Sequence, residues 1–272
     1  LGDVYKRQDL YIADHGYDDA PWGGQNILVL NKKTGFKDGT YLLPQVGDYT
    51  HGIVVADFWN TGHDDILTLN TEIINAINKC QQYPEIKTLR CSTGPQEPRS
   101  YVLENIQTDR IPLRTLDAEI NFSVPSRDPS RLMKGAAYDL NSDGIPDLAL
   151  SYIGKIKILE STAIGRYTKT AEFFPDKEFV DGCNIPNDFA YGNVLIADLD
   201  GDGTKEVLTY YTCSWNNMRW QVLKKDSSGA WKDVTSRYFP DQSANVGKPE
   251  DKNWCRDIFF EDINGDGKAD II

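Results

Sequence analysis

The chain has 272 residues, of which 40% are hydrophobic, 11% aromatic and 26% charged, and its formal net charge is -12. So acidic a balance excludes the basic face that nucleic-acid binding requires. No apolar run reads as a membrane span. Among the predicted elements, Ile27-Leu-Val-Leu30 is a strand, followed by a turn with Gly35, the aromatic Phe36 and an end at Leu42-Leu-Pro44. The strand Ile53-Val-Val-Ala56 then runs into Asp57-Phe-Trp59-Asn-Thr61-Gly62-His-Asp-Asp65. An insertion at about 71–98 makes this repeat overlong.

The strand Ala136-Ala-Tyr138 leads into Asp139-Leu-Asn141-Ser-Asp143-Gly144-Ile-Pro-Asp147. After it come the strand Leu148-Ala-Leu-Ser-Tyr-Ile153, the strand Lys155-Ile-Lys-Ile-Leu-Glu160, a turn with Gly165, Tyr167, and an end at Phe173-Phe-Pro175. Val194-Leu-Ile-Ala197 then precedes Asp198-Leu-Asp200-Gly-Asp202-Gly203-Thr-Lys-Glu206. Next are Val207-Leu-Thr-Tyr-Tyr211, Trp220-Gln-Val-Leu-Lys224, a turn with Gly229, Trp231, and an end at Tyr238-Phe-Pro240. Ile258-Phe-Phe260 precedes the last copy, Asp262-Ile-Asn264-Gly-Asp266-Gly267-Lys-Ala-Asp270.

Three copies of one phrase thus place oxygen side chains at positions 1, 3, 5 and 9 and Gly at position 6. Calcium takes six to eight hard oxygen ligands at about 2.3–2.6 Å. A tight loop supplies them from alternate side chains, and Gly lets the chain turn back over the ion. The expected ligands are Asp139, Asn141, Asp143, the Ile145 carbonyl and Asp147 in the first loop. In the second they are Asp198, Asp200, Asp202, the Thr204 carbonyl and Glu206. In the third they are Asp262, Asn264, Asp266, the Lys268 carbonyl and Asp270. The absence of Cys and His from these loops disfavours soft metals. Magnesium, which demands a stricter octahedron, ranks second. An EF-hand would end in a Glu at position 12 and enter a helix; Leu150 and Thr209 stand there, inside strand-like runs. The competing reading is a set of polar turns that bind nothing, but turns do not require four oxygens at fixed spacing. Ten carboxylates lie in the three loops, and their mutual repulsion favours a bound cation.

The degenerate loop at Asp57 keeps positions 1, 6 and 9 but has Trp59 and Thr61 at 3 and 5, so it is expected to turn the chain and bind calcium poorly. Loop starts at 57, 139, 198 and 262, each between the first and second of about four short strands, point to an all-β β-propeller with one blade per repeat. These loops and blades resemble the FG-GAP and VCBS repeats, which build propellers in extracellular bacterial proteins and in integrin α-subunits. Asp9-Leu-Tyr-Ile-Ala-Asp-His15-Gly-Tyr-Asp18, continuing to Gly23-Gly-Gln-Asn26, is similar to stretches of VCBS-repeat proteins. Literal Phe-Gly and Gly-Ala-Pro signatures are absent, which favours the VCBS side. Propellers of this group resemble seven-bladed discs, so the expectation is an incomplete propeller over 9–272: about four blades and the start of a fifth. Leu1–Gln8 resembles translated sequencing-adapter read-through and is expected to be a non-native leader.

Five cysteines, Cys80, Cys91, Cys183, Cys213 and Cys255, contain no Cys-x-x-Cys pair. A disulfide between Cys80 and Cys91 is expected to staple the insertion, in an oxidising compartment. His15 with Asp14 and Asp18, and His51, are weighed as a metal or acid–base site; turn hydrogen bonds and strand-end packing explain them better. Trp and Tyr side chains suit packing between blades better than a sugar groove. No catalytic motif appears. The favoured function is a secreted or cell-surface module with three structural calcium ions, binding an extracellular glycan or protein. The alternative is a polysaccharide lyase or hydrolase whose site lies on rim loops, the 71–98 insertion and the Asp14–His15 turn among them.

Overall fold

The computed structural model describes residues 8–14, 24–45, 47–48, 50–70, 102–104, 113–114, 116, 132–152, 154–177, 189–213, 217–240, 260–261, 263–265 and 270–271. The fold is all-β, built from four-stranded antiparallel meanders of the β-propeller blade type. No described helix is long and apolar enough to cross a membrane. The chain divides into two compact units, Leu1–Leu132 with Ser161–Tyr167, and Met133–Glu160 with Thr168–Ile272.

In the first unit, Leu10–Ile12 (β1), Ile27–Lys32 (β3) and Gly35–Asp38 (β4) form a sheet in the order β1-β3-β4. Gly24–Gln25 (β2) pairs with Gly47–Asp48 (β5). Thr50–Ala56 (β6), Asp65–Asn70 (β7), Val102–Leu103 (β8) and Leu113–Arg114 (β9) make a meander. The expected insertion falls between β7 and β8 and lies outside the described residues. The core of this unit gathers Leu28, Leu30, Leu43, Ile66 and Leu103.

Leu132–Tyr138 (β10), Asp147–Tyr152 (β11), Lys155–Ala163 (β12) and Arg166–Phe173 (β13) form one meander, which belongs to the second unit except for Leu132 and the β12–β13 turn at Ser161–Tyr167, both counted with the first. Phe189–Ala197 (β14), Glu206–Cys213 (β15), Asn217–Lys225 (β16) and Trp231–Asp233 (β17) form the next. Phe260–Glu261 (β18) pairs with Asp270–Ile271 (β19). Every residue of β7 and of β11 is buried. A second strand covered on both faces explains why these runs do not alternate. Ala149, Ile156 and Ile158 of one sheet share a core with Tyr191, Val194, Val207, Tyr211, Leu223 and Trp231 of the next. These two sheets thus complete each other's burial, as stacked repeats do.

Two expected strand ends are helical instead. Thr40–Leu42 is a 3-10 turn and Thr235–Tyr238 a short α-helix. An Asp-x-Thr sequence starts both. Asp38 Oδ1 accepts from the Thr40 N–H, and Asp233 Oδ1 from the Thr235 N–H, each at 2.9 Å. The threonine hydroxyls then accept from the strand, from Leu28 N–H at 3.3 Å and from Val222 N–H at 2.9 Å. Local Asx-turn hydrogen bonding of this kind competes with a continuing ladder and wins here.

Gly192 lies where the β14–β15 register shifts between Tyr191 and Val194. A Cβ there would stand 1.9 Å from the Tyr210 ring. Gly192→Ala is therefore expected to cost about 2 kcal/mol through overpacking, read as a lower urea midpoint with an unchanged slope.

Candidate metal centre

The acidic loops join β6 to β7, β10 to β11 and β14 to β15, between first and second strands as expected. One hydrogen-bond frame recurs in all three. The position-1 aspartate caps the backbone at positions 5 and 6. Asp57 accepts from Thr61 N–H at 2.8 Å and Gly62 N–H at 2.7 Å. Asp139 accepts from Asp143 N–H at 3.1 Å and Gly144 N–H at 2.8 Å. Asp198 accepts from Asp202 N–H at 3.1 Å and Gly203 N–H at 2.8 Å. The position-9 acid caps position 2: Asp65 to Phe58 at 3.0 Å, Asp147 to Leu140 at 2.7 Å, Glu206 to Leu199 at 2.7 Å. In the last loop Asp270 accepts from Ile263 N–H at 2.9 Å.

Positions 1 and 9 are therefore framework residues. Asp65, Asp147 and Glu206 are fully buried. The glycines at position 6 have φ of 79°, 83° and 89°, a region that only Gly occupies freely. Position 4 is left-handed as well, at Asn60, Ser142, Gly201 and Gly265. The Asp57 loop builds this frame without the carboxylates at positions 3 and 5. Its Trp59 instead packs on the β12–β13 turn, where a Cβ on Gly165 would lie 2.1 Å from the ring.

Loop 139–147 keeps oxygen side chains at positions 3 and 5. Asn141 Oδ1 accepts from Asp143 N–H at 2.9 Å, and Asp143 Oδ1 from Ile145 N–H at 2.8 Å. Both side chains are exposed. The Asn141 amide donates to Asp143 Oδ2 at 3.1 Å. Turning that amide about would present its oxygen to a cation alongside Asp139, Asp143, Asp147 and the Ile145 carbonyl. This donor set is all hard oxygen and fits calcium.

Loop 198–206 differs. Among the described residues only Asp198, Asp200 and Glu206 bring three acidic side chains within 4.8 Å of one another. A cation of the protein itself lies against them. Lys224 Nζ sits 3.0 Å from Asp200 Oδ2 and 2.8 Å from Asp202 Oδ2, and is in ion contact with Glu206 Oε1. Arg237 lies 3.0 Å from Asp200 Oδ2, and the Tyr238 hydroxyl donates to the same oxygen at 3.2 Å. Burial alone would lower the Lys224 ammonium, but Asp202, Glu206 and Asp200 outweigh it and raise it. The Lys224 hydrogen bond, with the Thr204 N–H, holds the Asp202 carboxyl at about 2. Burial, then Glu206 and Asp200, raises the Tyr238 phenol.

Asn264 and Asp270 of the last loop are described, whereas Asp262, Asp266 and Lys268 lie outside the described residues. So do His15, Asp18, Cys80, Cys91, Cys183, Cys255 and the side chain of Cys213, so the disulfide and the His15–Asp18 part of the Asp/His expectation rest on undescribed residues, whereas Asp14 and His51 are described. Sequence reading missed Lys224, Arg237 and Tyr238, which stand 18 or more positions beyond the loop that they complete.

No curated protein matches the sequence. Among solved structures the chain is similar to an Agrocybe aegerita lectin that recognises non-reducing terminal N-acetylglucosamine. Identity is 14% and the TM-score 0.46, over 92% of this chain and 55% of that one. It is also similar to the Schwanniomyces occidentalis fructofuranosidase complexed with fructose, at 8% identity and a TM-score of 0.42, over 80% of this chain and 43% of that one. The chain thus spans about half the length of these two structures. Residues 139–209, from Asp139 through the second acidic loop and into the strand after it, match the model of the FG-GAP-like repeat family.

Proposed function

We propose that this chain is a calcium-stabilised, VCBS-type propeller module of a secreted or cell-surface protein, serving to bind a glycan or protein. One observation carries the calcium reading. The Asp57 loop makes the same turn with Trp59 and Thr61 at positions 3 and 5, so the turn does not require the oxygens of Asn141 and Asp143. Two exposed oxygen side chains, each using one oxygen lightly on the loop backbone, stand beside two framework carboxylates and complete a hard-oxygen donor set. Asn264 repeats position 3 in the last loop. Calcium in these loops would pin the turn between the first and second strands of a blade. Extracellular modules hold calcium with Kd of roughly 10⁻⁴–10⁻³ M, so millimolar calcium suffices.

Thermal unfolding in chelator and in excess calcium tests this reading. One site at 100 times its Kd adds about 2.7 kcal/mol. For a chain of this size each kcal/mol raises the midpoint by about 2–4 °C. The expected rise is thus several degrees, and Asp143→Ala removes part of it. Equal midpoints in chelator and calcium would defeat the proposal. For the ligand, a glycan array with product analysis separates the roles. Retention of intact glycan supports a binding module; new reducing or unsaturated ends would replace it with an enzyme.

A further inference from the structure

We propose that Lys224 is the resident cation of the 198–206 loop, so that this loop is locked by a side chain and takes no calcium. The inference rests on reading the sister loops as calcium sites, and it removes from that set the loop richest in carboxylates.

Three observations support it. The first is position. Lys224 Nζ contacts Asp200, Asp202 and Glu206 together, the acids of positions 3, 5 and 9 that a calcium ion would need. The second is burial. The Lys224 side chain is 10% exposed and that of Glu206 fully buried, so the pair is sheltered from solvent screening. The third is register. Leu223 pairs with Val207, so Lys224 stands opposite position 9 of its loop. Leu159 pairs with Leu148 and Leu103 with Ile66, which places Glu160 and Glu104 at the same point of the other two meanders. Among these three meanders, only that of the 198–206 loop has a lysine there. Glu160 instead pairs with Lys225 at 2.8 Å and accepts from Trp231 Nε1 at 2.9 Å.

The chemistry follows from the tether. An ammonium on the adjacent strand is always present at high effective concentration. Calcium would have to break three ion contacts and return the ammonium to water before gaining the same carboxylates. Arg237 and Tyr238 contact the same Asp200 Oδ2 that Lys224 does. The loop therefore keeps its shape when calcium is scarce, whereas its sisters respond to the ion.

Calcium bound per chain, counted by isothermal titration, tests the proposal in wild type, Lys224→Met and Lys224→Gln. Both variants are expected to bind one ion more than wild type, and Asp202→Asn in the Lys224→Met background is expected to lose it. No added ion in a folded variant overturns the proposal. If neither variant folds, the Lys224 ammonium is followed in wild type by ¹⁵N NMR. A resonance unmoved by saturating calcium supports the lock, and one that shifts to a solvent-exposed lysine position overturns it. Wild type binding no calcium while Lys224→Met binds one would refute the calcium reading of the sister loops and leave the lock standing.

Discussion

Lys224→Met is expected to lower the unfolding free energy by about 3–5 kcal/mol in chelator, the usual result of removing one partner of a buried ion pair. Glu206 is fully buried and cannot move to solvent without breaking its bond to the Leu199 N–H. Asp200, at 14% side-chain exposure, loses one of its two counter-charges and keeps Arg237. Methionine fills the stem volume of lysine, so the loss reports the charge and not a cavity. Urea denaturation measures it. Saturating calcium is expected to restore part of the loss in the variant, because the vacated carboxylates then bind the ion and linkage stabilises the native state. A loss below about 1 kcal/mol would match an exposed surface pair and contradict the enclosed arrangement.

The second large effect separates framework from ligand. Asp65→Ala is expected to cost about 3 kcal/mol, since it strips a charged acceptor from a buried backbone donor. The Phe58 N–H that it caps at 3.0 Å is itself buried. Calcium does not change this loss, because the Asp57 loop lacks acids at positions 3 and 5. Asp143→Ala behaves oppositely: it costs little in chelator and most of its effect appears in calcium. Melting both variants in both conditions checks the pair. Equal calcium dependence in the two would mean that position 9 acts mainly through the ion.

Much of this was legible in the residues. The apolar runs at Ile53–Ala56, Leu148–Tyr152 and Val207–Tyr211 are strands because β-branched and aromatic side chains suit a covered sheet. The phrase at 139, 198 and 262 fixed the turns because Asp and Gly carry local, sequence-near duties. Two kinds of feature were not read. The outer ends at Leu42 and Tyr238 look like strand ends, but Asp38 and Asp233 bend the chain into helical turns through contacts two residues on. Lys224 makes its contacts across a strand pair, where no local period reports them. Its signal was the alignment of Leu159-Glu160 with Leu223-Lys224: an acid became a base at one register point, opposite the most acidic loop. The framework role of positions 1 and 9 was hidden for a different reason, since a carboxylate that caps a backbone and one that holds an ion have the same letter and spacing.

A calcium titration followed by backbone amide NMR distinguishes the two loops within one molecule. Gly144 and Gly203 occupy the same position in two loops with the same fold. Calcium is expected to move the Gly144 amide in step with saturation and leave the Gly203 amide in place. A stationary Gly144 resonance would contradict the calcium reading of the 139–147 loop, and a Gly203 shift of equal size would contradict the distinction between the two loops.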